Sequence, residues 1–143
     1  MDEFIVVERV PTIHEYKKLR DAIGWRNTDN EATEVGLRNS LFAVCVLYRD
    51  EVIGCGRVIG DGGLYFYLQD IIVLPEFQKR GIGNRIMGAV MSYLKSHAHT
   101  NSSIGLMAAK GVSKFYEQYG FVERAPDKPG MNRIWGKQIH QDG

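Results

Sequence analysis

Between positions 64 and 97 an apolar strand-like run, a proline, two closely spaced glycines and a long amphipathic stretch follow one another without interruption. This succession constrains the fold more than any other part of the chain. Residues 64–74 read as a long strand, and Pro75, which has no backbone N–H to donate, stops it. Gly81 and Gly83 let the main chain turn tightly and approach a ligand closely. Ile82, Ile86, Val90 and Leu94 then recur at steps of four, the spacing of a buried helical stripe. The first N–H groups and the positive dipole end of such a helix form a ready anion site, and Lys79 and Arg80 add charge beside it. A nucleotide-binding loop ending Gly-Lys-Ser/Thr is excluded, because Asn84 and Arg85 follow Gly83. A dinucleotide fingerprint is excluded because its third glycine would fall on Ile86. Two glycines alone also suit a plain helix start, so the ligand must be argued from the wider pattern.

That pattern is one of meander strands followed by a crossover. A strand at 4–7 leads to Thr12, a helix cap, and a helix over about 13–23 that ends at Gly24. A second helix covers about 30–38. Residues 41–48 are too apolar for a half-exposed strand, and Arg49-Asp50-Glu51 turns them back into a partner strand over 52–59. Asp61-Gly62-Gly63 turns again into 64–74. After the long helix come a strand over 104–108, a short helix over about 112–118, a strand beginning at 121–122, and a last strand over about 131–139. No repeat, low-complexity tract or linker interrupts positions 1–143, which read as a single mixed α/β (α+β) domain.

Length and composition narrow the function. A chain of 143 residues can bury a core without metals or disulfides. A net charge of +1 announces no nucleic-acid surface. The two cysteines, Cys45 and Cys55, sit in facing apolar runs and read as buried free thiols. The N-terminus lacks a basic-then-apolar signal pattern, and no apolar run approaches the roughly 20 residues of a membrane span. These observations predict a cytoplasmic protein with no membrane and no nucleic-acid partner. The four histidines lack cysteine or carboxylate partners at ligand spacing, so no metal is expected.

Gln78-x-x-Gly81-x-Gly83, after a strand ending Ile71-Ile72-Val73-x-Pro75-Glu76, resembles the signature of the GNAT acetyltransferase superfamily. Phe115-Tyr116-x-x-x-Gly120-Phe121 resembles its second recognisable segment, and the element order resembles the family across nearly the whole chain. The resemblance implies a mostly antiparallel central sheet with a parallel, splayed pair in its middle, flanked by about four helices. It implies acetyl-CoA as co-substrate and no metal. The pyrophosphate would lie on the loop from Lys79 through Arg80, Gly81, Ile82 and Gly83 to Asn84, with Gln78 at its entrance. The strand end Ile71, Ile72 and Val73 would offer backbone groups to the pantetheine arm.

Transfer needs a neutral amine and then a proton for the departing thiolate. Tyr116 matches the family's proton-donating tyrosine, and its phenol, with an ordinary pKa of about 10, is protonated at neutral pH. Phe115 and Tyr119, four apart, read as the core face of the short helix, with Tyr116 offset. Asp70 is a candidate base or, equally, a residue holding the strand bend; water passing Tyr67 and Gln69 is a third route for the proton. Some family members carry glutamate where this chain has Tyr67. Others carry asparagine where it has Ala109, and Lys110, Ser113 or Lys114 are candidates to compensate at the CoA phosphates. Trp25, Arg26, Tyr65 and Tyr67 are candidates to line the acceptor pocket, and an aromatic face favours a cationic amine. The acceptor is expected to be a small-molecule or peptide amine. By family analogy the last strand could support a homodimer.

Overall fold

The computed structural model of the protein describes residues 3–136. Its elements are β1 (Phe4–Val7), α1 (Ile13–Ala22), α2 (Asn30–Arg38), β2 (Phe42–Tyr48), β3 (Glu51–Gly60), β4 (Tyr65–Val73), α3 (Ile82–His97), β5 (Ser103–Leu106) and α4 (Ser113–Glu117), with a 3-10 turn at Pro75–Phe77 between β4 and α3. The strands lie in chain order in one mixed sheet, antiparallel from β1 to β4 and parallel between β4 and β5. A parallel neighbour requires a crossover, and α3 provides it. The chain divides into two compact units, one ending at Leu106 and the other beginning at Met107.

The helix starts follow from local chemistry. Thr12 and Glu15 form a reciprocal capping box at α1, the Glu15 N–H donating to Thr12 Oγ1 at 3.1 Å and the Thr12 N–H to Glu15 Oε1 at 2.9 Å. Asp29 caps α2 by accepting from the Ala32 N–H at 2.9 Å. Such caps contribute about 1 kcal/mol each.

On one face of the sheet Leu19 of α1 packs with Cys45, Val52, Cys55 and Ile72. Cys45 and Cys55 face each other across β2 and β3, and both are free and buried. On the other face α3 buries Ile82, Ile86, Met87, Val90 and Leu94, and Tyr93 stacks on Phe42 at 4.7 Å. Gly56 lets this helix lie directly on the strand, since a Cβ there would stand 2.6 Å from Ile86 Cγ2 and 2.9 Å from Ile71 Cδ1.

The long strand expected over 64–74 contains a bulge that the sequence pattern does not announce. Cys55 pairs with Ile72 and Arg57 with Gln69, so Asp70 and Ile71 together stand opposite Gly56. Asp70 takes a left-handed φ of 57°, which aspartate tolerates better than most residues. The extra residue switches the faces of β4. Phe66, ahead of the bulge, meets Tyr93 of α3, and after it Ile71 lies on the α3 side while Ile72 joins Leu19 of α1.

Three expectations change beyond α3. β5 ends at Leu106, two residues before the expected limit. Residues 121–122 form no strand, and of the strand expected over 131–139, residues 131–136 form none and the remainder lies outside the described residues. Among the described residues the parallel pair β4–β5 therefore sits at one end of the sheet rather than in its middle. Gly111, Gly120 and Gly136 adopt positive φ in this stretch and Pro126 and Pro129 fall within it, so turns and loops occupy much of it.

Candidate active site

β4 loses its parallel neighbour halfway. The last β4–β5 pairing joins Leu68 to Leu106, while β4 continues to Val73 against β3 alone. The Leu74 N–H donates to Ile53 O of β3 at 2.9 Å. By alternation the backbone groups of Ile71 and Val73 face the opposite edge, along which no strand runs among the described residues. Part of that edge is already used, because Gln78 Nε2 donates to Val73 O at 3.0 Å. Gln78 thus ties the loop to the strand it follows. Ile72 is buried in the core.

The loop then folds by left-handed backbone at Lys79 and Gly81, with φ of 65° and 80°. Arg85 N–H to Gly81 O, 3.1 Å, is the first bond of α3, so the amides of Ile82, Gly83 and Asn84 lie at the positive end of a 16-residue helix. The buried Ile82 side chain anchors this end and leaves its backbone for other use. Lys79 and Arg80 are exposed, the latter with its guanidinium 5.7 Å from the Phe77 ring. Arg85 is spent on the frame, since its Nη1 donates to Phe4 O of β1 at 2.8 Å.

Asp70 lies on the α1 side and is buried. Its Oδ2 accepts from Tyr16 Oη at 2.9 Å and Arg57 Nε at 2.8 Å. Its Oδ1 accepts from Arg20 Nη1 at 3.2 Å and Gln69 Nε2 at 3.1 Å. Four donors occupy the lone-pair directions of one carboxylate and leave none for an incoming amine proton. Of the two roles open to Asp70 in the sequence, this geometry fits the one that holds the strand bend. Arg57 Nη1 also donates to Gly36 O and Ser40 Oγ at 3.2 Å each, near the end of α2. Arg20 reaches Arg26 O through Nε and Nη2. The Tyr16 phenol has a raised pKa, first through burial and then through the charge of Asp70.

Beside α1 lies an open groove of about 430 Å³ whose lining includes Lys17, Lys18, Trp25, Arg26, Asn27 and Thr28. Gly24, at φ 79°, and a Trp25 N–H to Arg20 O bond of 2.9 Å close the turn that forms its far wall. Trp25 and Arg26 both belong to this lining. Tyr65 and Tyr67 are not part of this lining; they stand on β4 opposite Ser103 and Gly105 of β5, and the Tyr67 ring packs against Gly105.

In the second unit Tyr116 is the buried residue of α4, while Phe115 and Tyr119 are half-buried, the reverse of the expected faces. The helix is only five residues long, and Gly120 at φ 92° returns Phe121 over Tyr116 with ring centroids 6.2 Å apart. Phe115 meets the same ring edge-on at 5.1 Å. Burial raises the Tyr116 pKa. Lys114 is exposed.

Sequence reasoning missed Tyr16, Lys17, Arg20 and Arg57. The available signals were an arginine inside the apolar run 52–59 and a tyrosine–arginine pair four apart in α1. Among the described residues no group of three or more His, Cys, Asp or Glu could hold a metal ion, and no helix is long and apolar enough to cross a membrane.

A mixed sheet whose fourth strand sheds its neighbour and then feeds a glycine-opened helix defines an acetyltransferase-type α/β fold. A family model described as Acetyltransferase (GNAT) domain matches residues 39–123, more than half of the chain, and the chain belongs to the GNAT family. A crystal structure from meticillin-resistant Staphylococcus aureus, described as a protein of unknown function and probable acetyltransferase, is 37% identical with a TM-score of 0.89, covering 93% of this chain and 100% of that one. The uncharacterized N-acetyltransferase ycf52 of Porphyra purpurea is 24% identical over 123 residues, 83% of this chain and 70% of its own length. The aminoglycoside N-acetyltransferase AAC(6')-Iy, solved in complex with CoA, shares the fold at 15% identity and a TM-score of 0.63, covering 96% of this chain and 97% of that one.

Proposed function

We propose that the chain transfers an acetyl group from acetyl-CoA to a primary amine, of a small molecule or a peptide, by direct attack, with Tyr116 as general acid. The observation that carries this reading is the one-sided end of β4 running into the loop and helix start at 78–84. Together they meet two demands of the co-substrate, which has an amide-bearing arm and a pyrophosphate. Ile71 and the Val73 N–H would pair with the arm in the manner of an added strand; Val73 O is held by Gln78. The amides of Ile82, Gly83 and Asn84 would hold the pyrophosphate, with Lys79, Arg80 and Lys114 contributing charge. Bound there, acetyl-CoA supplies a thioester carbonyl open to attack and a thiolate leaving group. The fold shared with a CoA-bound aminoglycoside acetyltransferase supports the cofactor class.

Tyr116 would donate the proton to the leaving thiolate, and burial keeps its phenol protonated across the neutral range. Asp70 would organise the bulge rather than accept the amine proton, which would pass to solvent. The rate should therefore rise through neutral pH as the amine loses its proton. Calorimetric titration with acetyl-CoA, with ATP as control, tests the cofactor; failure to bind would remove the reading. Tyr116→Phe should keep CoA affinity and lose transfer by about 10²- to 10⁴-fold. Saturable binding with no transfer to any amine of a broad panel would identify an acyl-CoA-binding module instead.

A further inference from the structure

The groove beside α1 is built from charged side chains, and their sum is one-sided. Lys17, Lys18 and Arg26 face it with a single carboxylate, Asp21, against them, and His14 and Arg20 complete the titratable lining. Behind it the imbalance continues. Arg20 and Arg57 share one carboxylate, Asp70, with side-chain exposures of 7%, 13% and 0%. Among the described residues no other acid pairs with either guanidinium, and their remaining partners are neutral oxygens and the Tyr16 and Trp25 rings. A buried cluster with one uncompensated positive charge, opening onto a cationic groove through Arg20, is costly unless an anion approaches it.

The walls are also fixed in advance. Lys17 Nζ donates to Thr28 O at 2.6 Å, keeping two N–H groups for other use. The Arg20 guanidinium holds Arg26 O at 3.1 Å and lies 5.2 Å from the Trp25 ring. Trp25 remains 36% exposed and gives the groove one flat apolar wall. Arg20 already lies against this ring, and Lys17, Lys18 and Arg26 share the lining with one carboxylate, so the charge around it favours an anion over the cationic amine that an aromatic face suggested from sequence.

We infer that this groove binds a small organic anion, a carboxylate or phosphate monoester, whose flat apolar body lies against Trp25. Because the walls are held before binding, little ordering opposes it. The inference goes beyond acetyl transfer and is read by binding alone, so it stands or falls separately from the proposed reaction.

The chain has two tryptophans, Trp25 and Trp135, and Trp135→Phe leaves Trp25 as the sole indole reporter. Phenyl phosphate should give a saturable fluorescence change that weakens as salt is raised, whereas benzyl alcohol and benzylamine should give none. Lys17→Gln combined with Arg26→Gln should weaken phenyl phosphate binding by about tenfold or more, and Lys95→Gln on the exposed side of α3 should leave it unchanged. If the double variant does not fold, Lys18→Glu at an exposed position carries the same test. Saturating CoA should not displace the ligand; displacement would assign the groove to the cofactor and overturn the inference. It is also overturned by no saturable change at about millimolar phenyl phosphate, by an equal response to benzyl alcohol, or by an equal loss in Lys95→Gln.

Discussion

Two cationic surfaces of the first unit are made of different material. The loop at 78–84 is made of main chain: left-handed Lys79 and Gly81 aim the amides of a helix end, and Lys79 and Arg80 stand exposed beside them. The groove at α1 is made of side chains: Arg20 and Lys17 are held by bonds to Asp70 and to the carbonyls of Arg26 and Thr28, and the Trp25 ring lies beside the Arg20 guanidinium. A main-chain site depends on a conformation that few residues can adopt. A side-chain site depends on a network in which each member fails if another is removed. The first should be damaged by changing backbone freedom, the second by changing charge.

The largest effect expected from this contrast is at Asp70. Asp70→Asn leaves Arg20 and Arg57 without a carboxylate, and breaking a buried pair in this way costs about 3–5 kcal/mol. A urea midpoint close to the parent would mean that the cluster does not hold the α1 side together. Next comes Gly81→Val, a β-branched residue at φ 80°. It should weaken CoA binding by tenfold or more while folding loses only about 1–2 kcal/mol; intact CoA affinity would reduce the loop to a helix start. Removing the two loop cations together, Lys79→Ala with Arg80→Ala, should weaken CoA only by about two- to fivefold, as exposed charges do. A loss as large as that of Gly81→Val would make this a side-chain site after all, and the contrast would collapse.

The smallest effect is in pH. It belongs to the buried cluster behind the groove, through Tyr16. The folded-state pKa of Tyr16 lies above its unfolded value of about 10, so its contribution is complete below that pH and is lost as pH rises through the folded value. Urea midpoints measured from pH 8 upward should fall more in the parent than in Tyr16→Phe, by about 1 kcal/mol at the alkaline end. Parallel curves would show that the phenol does not matter to the cluster.

Much of the fold was legible because its signals are local. Thr12, Gly24 and Pro75 mark element ends through bonds or dihedrals within a few residues, and α1, α2 and α3 follow the expected bounds closely. The Gly81–Gly83 spacing announced the start of α3 for the same reason, since a helix start consists of adjacent main chain. The stretch from Met107 was legible in its helix and turns but not in its strands. A strand depends on a partner elsewhere in the chain, and a hydrophobic pair such as Phe121-Val122 does not reveal whether one is present.

The sequence by itself thus determined the order of elements as far as α4, the one-sided stripe of α3, the glycine-opened helix start and the family those features define. Only the tertiary structure decided the bulge at Asp70, because one aspartate in a strand reads alike whether its side chain meets water or two arginines from α1 and β3. It alone decided that Tyr116, and not Phe115 or Tyr119, is buried, since a five-residue helix has too few turns for periodicity to choose a face. It also decided that Trp25 sits in a cationic groove: the charges that make it so belong to residues 14–26 read as a surface, and the net +1 of the whole chain averages them away.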